Sequence, residues 1–149
     1  MSATLLTAPA VEPVSLAEIK AYLKIDQDVE DDLLRAFLSA ARVHLEHMIG
    51  RHLISQAWRI LLEGALGKRF CLPVQPVSEL LAIAIIEVDG SMTELDVSGL
   101  SIFQADNPAT LVNLDGFLLS GQQRLQIDVE TGFGPRRKMC RSLCGWPSR

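Results

Sequence analysis

The amino-acid sequence predicts an α+β fold, with an N-terminal helical pair followed by a small, mostly antiparallel β-sheet with hairpins. Up to Ile49 the apolar residues recur every three or four positions, which is typical of helices. From Ile54 they alternate with polar residues or form short runs of branched side chains, which indicates strands. This change of period divides the chain into a helical part and a β part.

The first helix is predicted from a capping signal. Residues 1–14 contain Pro9 and Pro13 and show no helical period, so an extended arm is expected there. Ser15 and Glu18 then match a capping box, in which each side chain accepts a hydrogen bond from the backbone N–H of the other residue. A short helix is expected from this cap to about Lys24.

A second, longer helix is predicted over residues 28–49. Acidic residues crowd its start, where they complement the positive end of the helix dipole, and Gly50 offers a left-handed cap at its end. We expect one apolar side of this helix to pack into the subunit's own core; it carries Leu33, Leu34, Phe37, Leu38, Ala41, Leu45, Met48 and Ile49. The opposite, polar side is assigned Glu30, Arg35, Arg42 and Glu46.

The β part is predicted from alternation and from turn residues. Strands are expected over 56–63, 80–88, 100–104, 110–114 and 124–131. Asp89 and Gly90 favour a type I′ hairpin turn, in which both central residues need a positive φ. Cys71 is expected in an apolar strand as a buried, unreactive thiol. Gly132 to Gly134 is interpreted as a turn.

Composition favours one ordinary globular domain. The chain has 149 residues, of which 48% are hydrophobic and 21% charged, so it is expected to fold rather than stay disordered. The longest apolar run, over 80–86, is too short to cross a bilayer, and the N-terminus lacks the pattern of a signal peptide. We therefore expect synthesis inside the cell and no membrane partner. Three cysteines do not make a disulfide framework.

Charge is distributed unevenly along the chain. Residues 1–135 carry 9 basic and 18 acidic side chains, whereas the last fourteen residues carry five basic side chains and no acid. An acidic body does not hold nucleic acid by neutralising phosphates. The basic cluster of the tail leaves an alternative open, a small nucleic-acid-binding module that would use Arg136, Arg137, Lys138 and Arg141.

Patterns that would indicate catalysis are weak. His44 and His47 lie three residues apart on the predicted helix, close to His52, and could in principle share a metal ion. The His-Glu-x-x-His pattern of zinc proteases is missing, and polar or cationic groups are ordinary at a helix C-terminus. The prediction is therefore no enzyme, no cofactor, and no catalytic or metal site.

The N-terminal half resembles a known family. The segments that carry the resemblance run from Glu12 through the capping box to Leu23, from Ala40 to Arg51, and from Leu53 to Trp58. They are similar to the head-tail connector, or adaptor, proteins of long-tailed bacteriophages and of phage-derived gene transfer agents. Weaker similarity extends over about residues 5–135.

The resemblance implies a structural adaptor in the neck of a virion or phage-like particle. Such a subunit forms a ring, expected to be dodecameric, beneath the portal protein, receives a stopper or tail-completion protein, and lets DNA pass without binding it specifically. It would be located in the particle neck, and in the cytoplasm of the bacterial host during assembly. The polar side of the long helix then becomes the expected subunit interface, with Glu30, Arg35, Arg42 and Glu46 as candidates.

The C-terminus departs from this family, whose members usually continue into an acidic linker and another helix. We therefore divide the chain into a connector-like domain, 1–135, with its arm over 1–14, and an atypical basic tail, 136–149. Permitted codons from the third base of the Arg137 codon can spell Glu-Asp-Val-Pro-Gln-Ser-Leu-Arg in another frame, which resembles the expected linker. The hypothesis is that the tail from about Arg136 is read out of frame.

Overall fold

The computed structural model describes residues 1–63, 69–97, 100–103, 109–113 and 122–134, and the basic tail lies outside these ranges. The described part confirms the α+β class. Its helices are α1 (Leu16–Leu23) and α2 (Asp31–Ile49). Its strands are β1 (Ser2–Thr7), β2 (Gln56–Glu63), β3 (Arg69–Cys71), β4 (Val77–Ile86), β5 (Met92–Glu94), β6 (Leu100–Phe103), β7 (Thr110–Asn113) and β8 (Arg124–Thr131). Neither described helix is long and apolar enough to span a membrane.

The described strands form two antiparallel sheets. The larger sheet has the order β1-β2-β8-β4-β5, and the smaller sheet has the order β3-β7-β6. The central strand β8 pairs with β2 from Gln56 opposite Thr131 to Glu63 opposite Arg124, and it pairs with β4 on its other side. Alternation predicted β2 and β8 with the observed bounds, because both strands place branched residues on one buried face.

The main hydrophobic core lies between the two sheets. Ile60, Leu125, Ile127 and Val129 are fully buried in it, and Leu111 of β7 faces them from the smaller sheet. A second, smaller cluster forms around Leu53 and Ile54, where the chain enters the sheet, with Val11 and Phe133 packed against it. Neither core cluster of the described residues contains a residue of α1 or α2. The β part is therefore a closed unit, and the helices lie outside it.

The N-terminal arm contains a strand that sequence patterning does not predict. β1 pairs antiparallel with β2, from Ser2 opposite Leu61 to Thr7 opposite Ala57. All six of its residues are exposed, so neither face required apolar side chains and no alternation was visible. The arm is extended, as expected, but it is the edge strand of the larger sheet.

Two local predictions need correction. The hairpin between β4 and β5 is confirmed, but its turn is not type I′, because Gly90 has a positive φ of 87° and Asp89 does not. The N–H of Gly90 donates to the carbonyl of Glu87, which makes Val88 and Asp89 the central residues of the turn. Cys71 is exposed rather than buried, because β3 is an edge strand of the smaller sheet.

The predicted turn at Gly132 is confirmed, and it joins the end of β8 to the segments that lead into β2 and β4. The N–H of Gly132 donates to the carbonyl of Pro76 at 2.9 Å, and the N–H of Phe133 donates to the carbonyl of Leu53 at 3.4 Å. Gly132 has a φ of +109°, and a Cβ there would lie 2.4 Å from the carbonyl oxygen of Ile54. Only glycine fits this close crossing of two backbones.

Replacing this glycine should destabilise the fold far more than replacing a glycine that has space around it. Gly132→Ala is expected to lower the free energy of unfolding by about 3 kcal/mol, from backbone strain together with the clash. The matched control is Gly50→Ala, which also has a positive φ, 66°, but no atom within 4 Å of the new Cβ. It should cost about 1 kcal/mol. Urea unfolding of both variants measures the difference, and equal losses would contradict the proposed clash.

Candidate functional site

The helical pair is the part of the structure that the core does not use. α1 is capped as predicted, with the Ser15 N–H donating to Glu18 Oε2 at 2.8 Å and the Glu18 N–H donating to Ser15 Oγ at 3.2 Å. No residue of α1 is buried. Lys20 joins the helices, with Nζ at 2.5 Å from Asp28 Oδ1 and 2.8 Å from Asp31 Oδ1. The hydrogen bond to Asp28 is the main reason why the pKa of Lys20 is raised.

A buried ionic cluster attaches α2 to the rest of the chain. Arg42 Nε donates to Glu12 Oε2 of the arm, and Arg42 Nη1 donates to Glu46 Oε2 one helical turn away, both at 2.8 Å. The side chains of Arg42 and Glu46 are only 9% and 7% exposed. Charges this deeply buried are stable only when they are paired and hydrogen-bonded. The pairing therefore fixes the arm against one side of α2.

The second oxygen of Glu46 connects α2 to the sheet. Oε1 accepts a hydrogen bond from the backbone N–H of Leu53 at 2.8 Å and a longer one from Gln56 Nε2 at 3.4 Å. Leu53 belongs to the small core cluster and Gln56 begins β2. One carboxylate thus joins the helix to the point where the sheet starts.

His52 supports the same junction from the sheet side. Its ring stacks on the indole of Trp58, with centroids 5.0 Å apart and planes 2° from parallel. Thr131 Oγ1 donates its proton to the carbonyl of Gln56. His52 Nδ1 lies 2.7 Å from the same hydroxyl, so this ring nitrogen must be protonated and donate to Thr131 Oγ1. Burial is the main cause that lowers the pKa of His52, with Glu46 opposing it by charge and Arg42 adding to it. The imidazole is therefore neutral at pH 7.

A cleft of about 450 Å³ lies between the arm, the end of α2 and β2. Arg42, Glu46, His52 and Gln56 all line it. Arg42 and Gln56 donate to Glu46, Arg42 also donates to Glu12, and His52 is hydrogen-bonded to Thr131. The buried indole Nε1 of Trp58 has no hydrogen-bond partner. The hydroxyl of Thr131 contacts the imidazole of His52 but gives its proton to the carbonyl of Gln56, so these two groups are not a nucleophile and its base. Within the described ranges no three His, Cys, Asp or Glu residues are placed to hold a metal ion.

Much of the exposed surface of α2 is apolar, contrary to the expected orientation of the helix. Of its nineteen residues, Leu34 and Glu46 are buried. Six large apolar residues are between 46% and 70% exposed: Leu33, Phe37, Val43, Leu45, Met48 and Ile49. The expectation that the apolar residues of α2 pack into the subunit's own core is wrong for six of the eight, because the inward side of the helix is shared with the buried ionic cluster. Leu34 is buried and Leu38 half-buried, as expected, at the four-residue spacing that continues to Arg42 and Glu46.

The four candidate interface residues fall into two pairs. Glu30 and Arg35 are exposed near the start of α2, where Arg35 donates to Asp32 at 2.8 Å. Arg42 and Glu46 lie inside the subunit. Sequence analysis missed Glu12 and the inward position of Arg42 and Glu46. The spacing of four between Arg42 and Glu46 was a visible sign of an ion pair, but it did not say whether the pair is buried.

The residues of the two alternative functions are placed as follows. His44 and His47 are exposed on α2, whereas His52 is held at the junction with the sheet. The nucleic-acid candidates Arg136, Arg137, Lys138 and Arg141 lie outside the described residues.

Residues 13–98 match the family of phage gp6-like head-tail connector proteins. This is more than half of the chain, and the chain therefore belongs to that family. The matched segment begins just before α1 and contains both helices and the buried ionic cluster apart from Glu12. Among curated protein sequences, none is significantly similar to the chain.

The fold is similar to chains in solved structures of gene transfer agent (GTA) particles. For a chain in the neck of an empty GTA particle, computed with C6 symmetry, the TM-score is 0.81 and the sequence identity is 24%. For a chain of the virion of a native GTA particle these values are 0.79 and 25%, and for one in the neck of a native particle, computed with C12 symmetry, 0.65 and 23%. Each similarity covers 93% of this chain and about three quarters of the other, from 74% to 75%.

Removing the charge of Glu46 should loosen the junction between helix and sheet. Glu46→Gln keeps the shape of the side chain but leaves the buried guanidinium of Arg42 with one charged partner, Glu12, instead of two, so we expect a loss of about 3 kcal/mol in the free energy of unfolding. Asp32→Asn makes the same chemical change in an exposed pair and should change stability by less than about 0.5 kcal/mol. Chemical unfolding followed by circular dichroism compares the two variants. Similar small effects would show that the buried cluster does not stabilise the fold.

Stability should fall as the pH is lowered through the titration of His52. Because the folded-state pKa of His52 lies below its ordinary value of 6.5, the unfolded state binds more protons between the two values. The contribution of neutral His52 to the free energy of unfolding is complete above about pH 6.5. It decreases as the pH falls towards the folded-state pKa of this residue. His52→Asn retains a donor for Thr131 but does not titrate. Unfolding free energies at about pH 7.5 and about pH 5 should differ less in this variant than in the wild type. An unchanged difference would contradict the assignment.

Proposed function

We propose that this protein is a non-enzymatic structural adaptor in the neck of a tailed phage or phage-like particle, where it forms a ring beneath the portal and links the head to the tail. The match of residues 13–98 to the connector family carries the proposal. The similarity in fold to chains in GTA necks computed with C6 and C12 symmetry supports a ring of identical subunits, dodecameric in the particle. Assembly would take place in the cytoplasm of the bacterial host.

The exposed surface of the helical pair is the proposed contact between neighbouring subunits. Large apolar side chains exposed next to one another along one helix are typical of an interaction site. Glu30 and Arg35 border it and are retained as interface candidates. Arg42 and Glu46, the other two candidates, act from beneath by holding α2 in the orientation that presents this surface.

The proposed partners are the portal protein above the ring and a stopper or tail-completion protein below it. Acidic residues outnumber basic residues two to one over 1–135. A channel wall with this balance would repel the DNA backbone, so DNA would pass through without being held.

Ring assembly should depend on the exposed charges at the start of α2. Glu30→Lys combined with Arg35→Glu should reduce the number of rings seen by negative-stain electron microscopy when the protein is mixed with its portal, while the unfolding free energy stays within about 0.5 kcal/mol. Ser78→Ala, an exposed change in β4, is the control. If micrographs of the wild-type protein show no rings, either alone or with portal, the proposed function is contradicted. Steeply salt-dependent DNA binding that is lost on deleting 136–149 would favour the nucleic-acid module instead.

A further inference from the structure

One stripe of exposed residues runs the whole length of α2. It contains Leu33, Phe37, Ala40, Ala41, His44 and Met48, at the three- and four-residue spacing of a helix-packing seam. Leu33 is 52% exposed, Phe37 61% and Met48 70%. No described residue of the same chain covers this stripe. We call these six residues the α2 seam.

The α2 seam is symmetric about its midpoint. Ala40 and Ala41 form the centre, Phe37 and His44 lie at equal distances on either side, and Leu33 and Met48 lie at the two ends. If two copies of α2 pack antiparallel, each residue meets its counterpart across the centre. Large side chains then lie towards the ends and alanines lie where the helices approach most closely.

The charges just beyond the seam obey the same symmetry. Glu30 is the N-cap residue of α2 and Arg51 follows the Gly50 cap at the other end, so both lie at equal distances from the centre. Both residues are exposed, and neither has an ion pair within the described part of the chain. An antiparallel pair of helices places Glu30 of each copy next to Arg51 of the other. The arrangement thus provides two salt bridges, each also favourable to the helix dipole.

We propose that the occupant of the α2 seam in the free protein is a second copy of this chain, packed antiparallel about a two-fold axis between Ala40 and Ala41. The pair is an isologous dimer, in which each copy contributes the same surface. A ring uses two different surfaces of each subunit, so this dimer is distinct from the proposed ring. Its function is to cover the apolar side of α2 until the subunit joins the neck.

The size of the seam makes the dimer reversible. A helix of nineteen residues is about 28 Å long, and a strip about 10 Å wide along it covers about 300 Å². Stable interfaces bury about 800 Å² on each partner. The dimer is therefore expected to be weak and reversible, so that a ring nucleated on the portal can take its subunits from it.

Cross-linking tests the antiparallel register. The background carries Cys71→Ser, Cys140→Ser and Cys144→Ser. One chain carries Leu33→Cys, and a second chain, made heavier by a tag, carries Met48→Cys. A short bismaleimide reagent should join the two chains in the mixture. Either chain alone should give no dimer, because identical positions lie about 22 Å apart along the helix axis. Val43→Cys, on another side of α2, is the exposed control and should not cross-link.

The charge pair provides a second, independent measurement. Glu30→Arg should raise the dissociation constant of the dimer about tenfold in sedimentation velocity. Adding Arg51→Glu in the same chain should restore it, because the exchanged charges meet again across the two-fold axis.

The possible results separate the dimer from the ring. A protein that stays monomeric at high micromolar concentration, or a Leu33→Cys chain that cross-links to itself, would overturn the antiparallel dimer and leave the ring proposal intact. A dimer that persists unchanged when portal is added, with no rings, would instead contradict the proposed function.

Discussion

The orientation of α2 depends on one buried carboxylate. Glu46 accepts hydrogen bonds from Arg42 through one oxygen and from Leu53 and Gln56 through the other. A carboxylate that is 7% exposed is compatible with a folded protein only when such partners are present. They come from the same helix, from the chain entering the sheet and from the sheet itself, so the polar side of α2 must face the β part. Leu34 is buried on the same side, and most of the other apolar side chains of α2 remain exposed.

The hydrophobic core shows the same separation between the sheets and the helices. The two clusters of buried residues are built from strands and their connections, and they contain no residue from either helix. The sheet part therefore has its own hydrophobic interior, and in the described part of the chain α2 is joined to it by the hydrogen bonds of Glu46 to Leu53 and Gln56. A helix held in this way can present an apolar side to other molecules without weakening the core of its own subunit. That property suits a protein that works by assembling with copies of itself.

Sequence patterning predicted those strands whose two faces lie in different environments, one against the core and one not. β2 and β8 were predicted with the correct bounds, because one of their faces is buried against the core and alternation reports that burial. The caps at Ser15 and Gly50 were also predicted, since they are local hydrogen-bonding patterns. β1 was missed because both its faces are exposed. The orientation of α2 was predicted wrongly because an amphipathic pattern shows that an apolar side will be covered, but not by which chain.

The same ambiguity would allow one helix to serve both proposed assemblies, the dimer and the ring. A two-fold dimer uses the same surface on both copies and is complete after two, whereas a ring joins two different surfaces and closes only after many copies. The apolar side of α2 cannot take part in both at once. Because each assembly removes this apolar surface from water, moving a subunit from the dimer to the ring changes little in the hydrophobic free energy. If both proposals hold, the portal would need to supply only a modest additional contact to direct the subunits towards the ring.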